Sequence, residues 1–145
     1  MYQKVLMALD FHGDNDQIIE KGKKLAEDNG AEILLLHVNE PLAMAYSIDG
    51  MGFGDQIVSL ESSIRNESLA KMNRIADQLD VKADNRLVRN GNPSSEIHDV
   101  VKTLGVDLIV MGTHGQSGLQ LLLGSTANSV LHGVSCDVMT VRISD

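Results

Sequence analysis

Gly112-Thr113-His114-Gly115 and, eight residues later, Gly124-Ser125-Thr126 are the part of this chain best suited to chemistry. Glycine lets a backbone turn through positive φ and come close to a ligand, because it has no Cβ to clash. Hydroxyl residues at a helix start sit beside free N–H groups and the positive end of the helix dipole, which suits an anion such as phosphate. The segment follows an apolar strand-like run, Asp107 to Met111, and leads into a helix-like stretch. It is not a P-loop, since no Gly-Lys-Ser/Thr follows the strand, and it is not the dinucleotide fingerprint, which belongs after the first strand at another spacing. Two readings stand at this point: an anion cradle, or a tight strand-to-helix connection.

The other candidates are single residues. Asp10 ends the first apolar run, where a carboxylate can accept a ribose hydroxyl or help place a metal, or can simply buttress the next turn. His37 ends the second run and reads as a packed or hydrogen-bonded histidine. His114 lies inside the glycine segment and reads as a solvent-facing loop residue within reach of phosphate. His12, His98 and His132 have no metal-ligand spacing, so no dedicated metal site is expected. No nucleophile, base and orienting group fall together, and the glycine segment contains no lysine.

Positioning these residues requires alternating strands and helices. Lys4 to Leu9 is a short apolar run, as in a strand covered on both faces. Asp14 to Asn29 reads as a helix capped by Asp14 with Gln17, with Ile18, Gly22, Leu25 and Ala26 facing inward and Gly30 ending it. Glu32 to Val38 is the second strand. Asp55 to Leu79 is a long helix with Ile57, Leu60, Ile64, Met72, Ile75, Ala76 and Leu79 on one side. Ala83 to Arg89 alternates less cleanly and reads as an edge strand. Asn92-Pro93 opens a helix that Gly105 stops, with Ile97, Val100, Val101 and Leu104 inward. Asp107 to Met111, a helix over Thr126 to Gly133 and a strand over Asp137 to Ile143 complete a βαβαβαβαβ order. That order implies one parallel sheet with right-handed crossovers. Ligands in such sheets sit beyond the carboxyl ends of the strands, where Asp10, Val38 and Gly112 fall. The loop Asn39 to Gly54 is long enough to suggest function, or packing over the sheet edge.

The chain has 145 residues, 43% of them hydrophobic, which predicts one domain, residues 1–145, able to bury a core unaided. Its net charge of −8 argues against general nucleic-acid binding and against anionic membranes. It leaves room for a nucleotide held by backbone N–H groups, with a metal ion bridging the phosphates. The lone Cys136 cannot form an internal disulfide and reads as an inert, packed thiol. No spanning run or leader pattern is evident, so the expected location is the cytoplasm.

These motifs carry a resemblance. Val5 to Asp10, His37-Val38, Gly91-Asn92-Pro93, Asp107 to Gly115, Leu122 to Thr126 and Cys136 to Arg142 together resemble the universal stress protein family over essentially the whole chain. The resemblance implies a doubly wound, Rossmann-like α/β fold of the adenine nucleotide alpha hydrolase type, with a five-stranded parallel sheet in the order 3-2-1-4-5. It also implies a homodimer and, in one branch, ATP, with or without Mg²⁺. In that branch Asp10 and Val38 would border the adenosine, beside the strand ends Leu9 and Met111. Gly112, His114 and Gly115 would lie under the ribose and phosphates, and Gly124, Ser125 and Thr126 would hold phosphate oxygens. The ATP-binding branch carries one more residue between its second and third glycines than the eight found here, and within a helix one residue turns the chain by about 100°. The function implied is a non-catalytic stress-response or regulatory domain. The alternatives are a dimeric interaction module without nucleotide, or a slow ATP hydrolase. A phosphoacceptor domain fits poorly, because Asp10 is followed by Phe11 rather than a second acid and the third strand ends in Val88-Arg89.

Overall fold

A computed structural model describes residues 1–41, 54–113 and 125–143. Five strands, β1 (Lys4–Ala8), β2 (Glu32–Asn39), β3 (Arg86–Asn90), β4 (Leu108–Gly112) and β5 (Asp137–Val141), form one sheet in the order β3-β2-β1-β4-β5. Every pairing is parallel. Among the described residues four α-helices connect them: α1 (Asp16–Asn29), α2 (Gly54–Gln78), α3 (Pro93–Leu104) and α4 (Ser125–Leu131). The expected doubly wound sheet is therefore present, with the expected strand order.

Strand side chains alternate between faces, and the core divides accordingly. Val5, Met7, Leu35 and Val110 pack under Ile18 and Ala26 of α1 and Met72 and Ala76 of α2. Leu6, Leu34, Leu36 and Ile109 face the other way, against Ile97, Val100 and Val101 of α3 and Ala127 and Val130 of α4. Burial on both sides explains why β1, β2 and β4 read as unbroken apolar runs.

The approach of α1 to β1 is close. A Cβ built on Gly22 would lie 2.6 Å from Met7 Cε and 2.9 Å from its Cγ. Because Met7 is fully buried, it has little room to retreat. Gly22→Val is expected to destabilise the protein by about 2 kcal/mol or more through overpacking. Urea unfolding checks this as a lowered midpoint at unchanged slope.

Several boundaries, and the burial of one residue, differ from those read in the sequence; the last strand, for one, ends at Val141 rather than Ile143. Helix α1 starts at Asp16, with Asn15 rather than Asp14 at the N-cap position. Asp14 instead accepts the Asp16 N–H at 2.9 Å. The capping box of Asp14 with Gln17 does not form, because Asp14 lies one residue before the N-cap and binds the Asp16 N–H instead. Residues Ala83–Asn85 form a 3₁₀ turn rather than the start of β3. Its cause is Asn85, whose buried amide donates to Glu32 Oε2 at 2.7 Å and to the Ile33 carbonyl at 3.1 Å. Helix α4 ends at Leu131, before Gly133 with its φ of 83°. Leu60 of α2 is 52% exposed rather than inward. At 25 residues α2 is about 37 Å long, against about 26 Å for the eight residues of β2. Its first half therefore overhangs the sheet. The caps of α3 are as read: Asn92 accepts from Ser95 N, and Gly105 is left-handed at φ 70°.

Candidate functional site

The chain leaves β1 for β2 and β3 on one side, then crosses to β4 and β5 on the other. The strand order thus reverses between β1 and β4, and a crevice opens beyond their carboxyl ends, where doubly wound sheets place ligands. A cavity of about 550 Å³ occupies this position, within the range of small-molecule sites. Leu9, Asp10, Val38, Met111, Gly112 and Thr126 all line it. Ser125 opens α4 next to Thr126. His114, Gly115 and Gly124, along with most of the loop Asn39 to Gly54, lie outside the described residues.

Gly112 differs from the expectation. It is the last residue of β4 and is not among the glycines with positive φ. Close packing makes it glycine: a Cβ would lie 3.2 Å from both Ile18 Cδ1 and Ile143 Cγ1. Ile18 itself lines the cavity, so the end of β4 and the start of α1 close its floor together.

The turn after β1 is held by its neighbours. The Asn15 side chain, only 9% exposed, accepts the Asp10 N–H at 3.0 Å and donates to the Asp10 carbonyl at 2.8 Å. Gly13 N donates to the same carbonyl at 3.1 Å. Asp10 Oδ1 accepts the His12 N–H at 3.0 Å, which leaves Oδ2 without a protein partner among the described residues. Asp10 therefore does both things read for it in part: one oxygen buttresses the turn, and the other is available at the cavity wall.

His37 is packed and hydrogen-bonded, as its position suggested, but the polar network around it at the β2 end was not legible in the sequence. His37 is 4% exposed, and its Nδ1 lies 2.9 Å from the Leu9 carbonyl oxygen. Its ring stacks on Phe11 with centroids 4.0 Å apart and planes at 19°. His37 Nε2 is 2.9 Å from the side-chain oxygen of Asn39, to which Ser68 Oγ also donates at 3.0 Å. His37, Phe11, Asn39 and Ser68 all line the cavity. The His-Val pair was the only signal for this cluster, since Ser68 reads as one polar residue on an amphipathic helix.

Among the described lining residues Lys71 is the only lysine or arginine. It donates to the Phe11 carbonyl at 3.4 Å and pairs with Glu67 at 3.5 Å. The pair with Glu67 is solvent-screened and weak, so Lys71 is one positive charge at the cavity wall, and a bound polyanion would also draw on backbone N–H groups or an accompanying cation. No group of three or more His, Cys, Asp or Glu residues able to hold a metal occurs among the described residues. The Cys136 thiol is pushed up by desolvation and then by Asp137 and Asp107, which disfavours the reactive thiolate. Among the described residues no helix is long and apolar enough to cross a membrane.

A fold and cleft of this kind define a class of α/β domain, and comparison with known proteins narrows it. The model of the universal stress protein family matches residues 1–142. Universal stress protein A homolog 2 of Coxiella burnetii is 41% identical over 143 residues, covering 98% of this chain and 96% of the relative. The same organism's universal stress protein A homolog 1 is 33% identical, with 99% of each chain covered. Among solved structures, hypothetical protein MJ0577 superposes with a TM-score of 0.80 at 26% identity, covering 100% of this chain and 99% of that one. A universal stress protein solved in complex with cAMP shares the fold at TM-score 0.59 and 21% identity, covering 99% and 98%. The chain belongs to the universal stress protein family.

Proposed function

We propose that this chain is a non-catalytic stress-response or regulatory domain of the cytoplasm that binds an adenine nucleotide, ATP with Mg²⁺, as a homodimer. The observation that carries the reading is the convergence of Leu9, Asp10, Val38, Met111, Gly112 and Thr126, from four separate segments, on one cavity of about 550 Å³ at the switch point of the sheet. The base would lie toward Val38, the ribose toward the free oxygen of Asp10, and the phosphates toward Ser125 and Thr126; His114, Gly115 and Gly124 are proposed as further contacts of the nucleotide. The fold, in another family member, has been solved in complex with cAMP. With Lys71 the one cation among the described lining residues, Mg²⁺ would offset phosphate charge inside a chain of net charge −8.

Calorimetric titration with ATP at physiological ionic strength tests the reading. Saturable binding that weakens when EDTA removes Mg²⁺ is expected. Absence of heat, with no nucleotide released on denaturing the purified protein, would leave a dimeric interaction module in its place. Light scattering is expected to give twice the 15.7 kDa chain mass, and a monomer at working concentration would remove the dimer from the proposal.

A further inference from the structure

We infer that His98 is a positioning residue for the phosphate end of this cavity: from α3 it ties down α4 and so fixes where Thr126 stands on the cavity wall. The inference rests on the nucleotide reading above. Helix α4 has only seven residues, with no acidic residue in its first turn and no basic residue in its last. A helix this short does not hold itself in water, so its place must come from tertiary contacts. Two kinds are present. Ala127 and Val130 pack against Ile97, Val100 and Val101 of α3. His98 Nε2 lies 3.0 Å from the Val130 carbonyl oxygen. A carbonyl only accepts, so Nε2 carries the hydrogen and His98 donates, whether its ring is neutral or charged.

The hydrogen bond does what packing cannot. The last four carbonyls of a helix have no partner within it, and Val130 is one of those residues in α4. Val130 is 0% exposed, so water does not meet its carbonyl either. Among the described residues His98 is the donor that does. Apolar contact has no direction and tolerates some rotation of one helix against another. A hydrogen bond weakens steeply as its angle closes, so it resists that rotation. Thr126 lies four residues before Val130, about 6 Å along the axis of α4 and near the same face. Rotation at Val130 is therefore carried to Thr126, the hydroxyl-bearing residue that α4 gives to the cavity. Ile97, the neighbour of His98 on α3, lines the same cavity, so one helix supplies both a wall and the tether.

Paired titrations with ATP plus Mg²⁺ and with adenosine test the assignment. Adenosine carries the base and ribose but no phosphate, so its binding does not depend on α4. His98→Leu keeps an apolar side chain of similar size and loses the donor, which leaves the buried Val130 carbonyl unpaired. ATP affinity is expected to fall about fivefold or more in that variant, while adenosine affinity holds. His98→Gln, which can still donate from the same position of α3, should recover most of the loss. Each ATP-to-adenosine ratio is taken within one variant, so a general loss of folded protein cancels. A ratio equal to wild type in His98→Leu, or one lowered just as far in His98→Gln, overturns the role of His98 and leaves nucleotide binding standing. Wild-type protein that binds neither ligand removes the nucleotide reading and this assignment with it.

Discussion

Replacing Asp10 by alanine is expected to weaken ATP binding by about 10- to 100-fold while leaving the fold nearly unchanged. The carboxylate divides its two oxygens between two tasks. Oδ1 accepts the exposed His12 N–H, a local turn contact worth about 0.5–1 kcal/mol. Oδ2 has no described protein partner and belongs to the cavity wall. A hydrogen bond from a ribose hydroxyl to a charged oxygen contributes about 1.5–3 kcal/mol, which sets the expected loss of affinity. Asp10→Asn retains an acceptor but not the charge, so it should fall between the two. Calorimetry gives the affinities, and thermal unfolding of each variant shows whether the turn survives. Affinity unchanged in Asp10→Ala would mean that the residue only buttresses the turn.

The second large effect is expected at Asn15, which touches the cavity only through Asp10. Asn15→Ala removes two hydrogen bonds at once, to the N–H and to the carbonyl of Asp10. Gly13 N still reaches that carbonyl, so the N–H is the group left unpaired. With Asn15 itself buried, the cost is about 2 kcal/mol, or roughly a 5 °C fall in Tm for a chain of this size. ATP affinity should fall as well, because the Asp10 backbone is no longer held in register with the end of β1. Denaturant unfolding and calorimetry on the same preparation separate the two losses. Stability equal to wild type would show that the turn after β1 holds itself.

The scaffold was readable because its determinants are local and repetitive. Apolar runs such as Val5 to Met7 and Leu34 to Leu36 mark strands buried on both faces, and Gly30 and Gly105 stop helices with the left-handed φ that glycine tolerates. Even the weaker β3 was placed at an edge, where it pairs with β2 alone. The features that escaped sequence reasoning depend on distant partners. Asn15 takes the N-cap position in place of Asp14, and tertiary structure uses its amide to hold Asp10 rather than to cap the helix. Asn85 turns the chain before β3 because its partners, Glu32 and Ile33, lie on another strand. Ser68 and Lys71 reach the cavity only because α2 crosses the end of β2, a relation that helical periodicity cannot express. Gly112 is glycine for the sake of Ile18 and Ile143, not for a left-handed turn.

The measurement that tests the central claim most directly is a crystal structure of the protein grown with saturating Mg²⁺ and ATP. Density for one nucleotide should fill the crevice between β1 and β4, with the base beside Val38, a ribose hydroxyl within hydrogen-bond distance of Asp10 Oδ2, and phosphate oxygens near Thr126. An empty crevice under those conditions, or a nucleotide bound elsewhere on the surface, would contradict it.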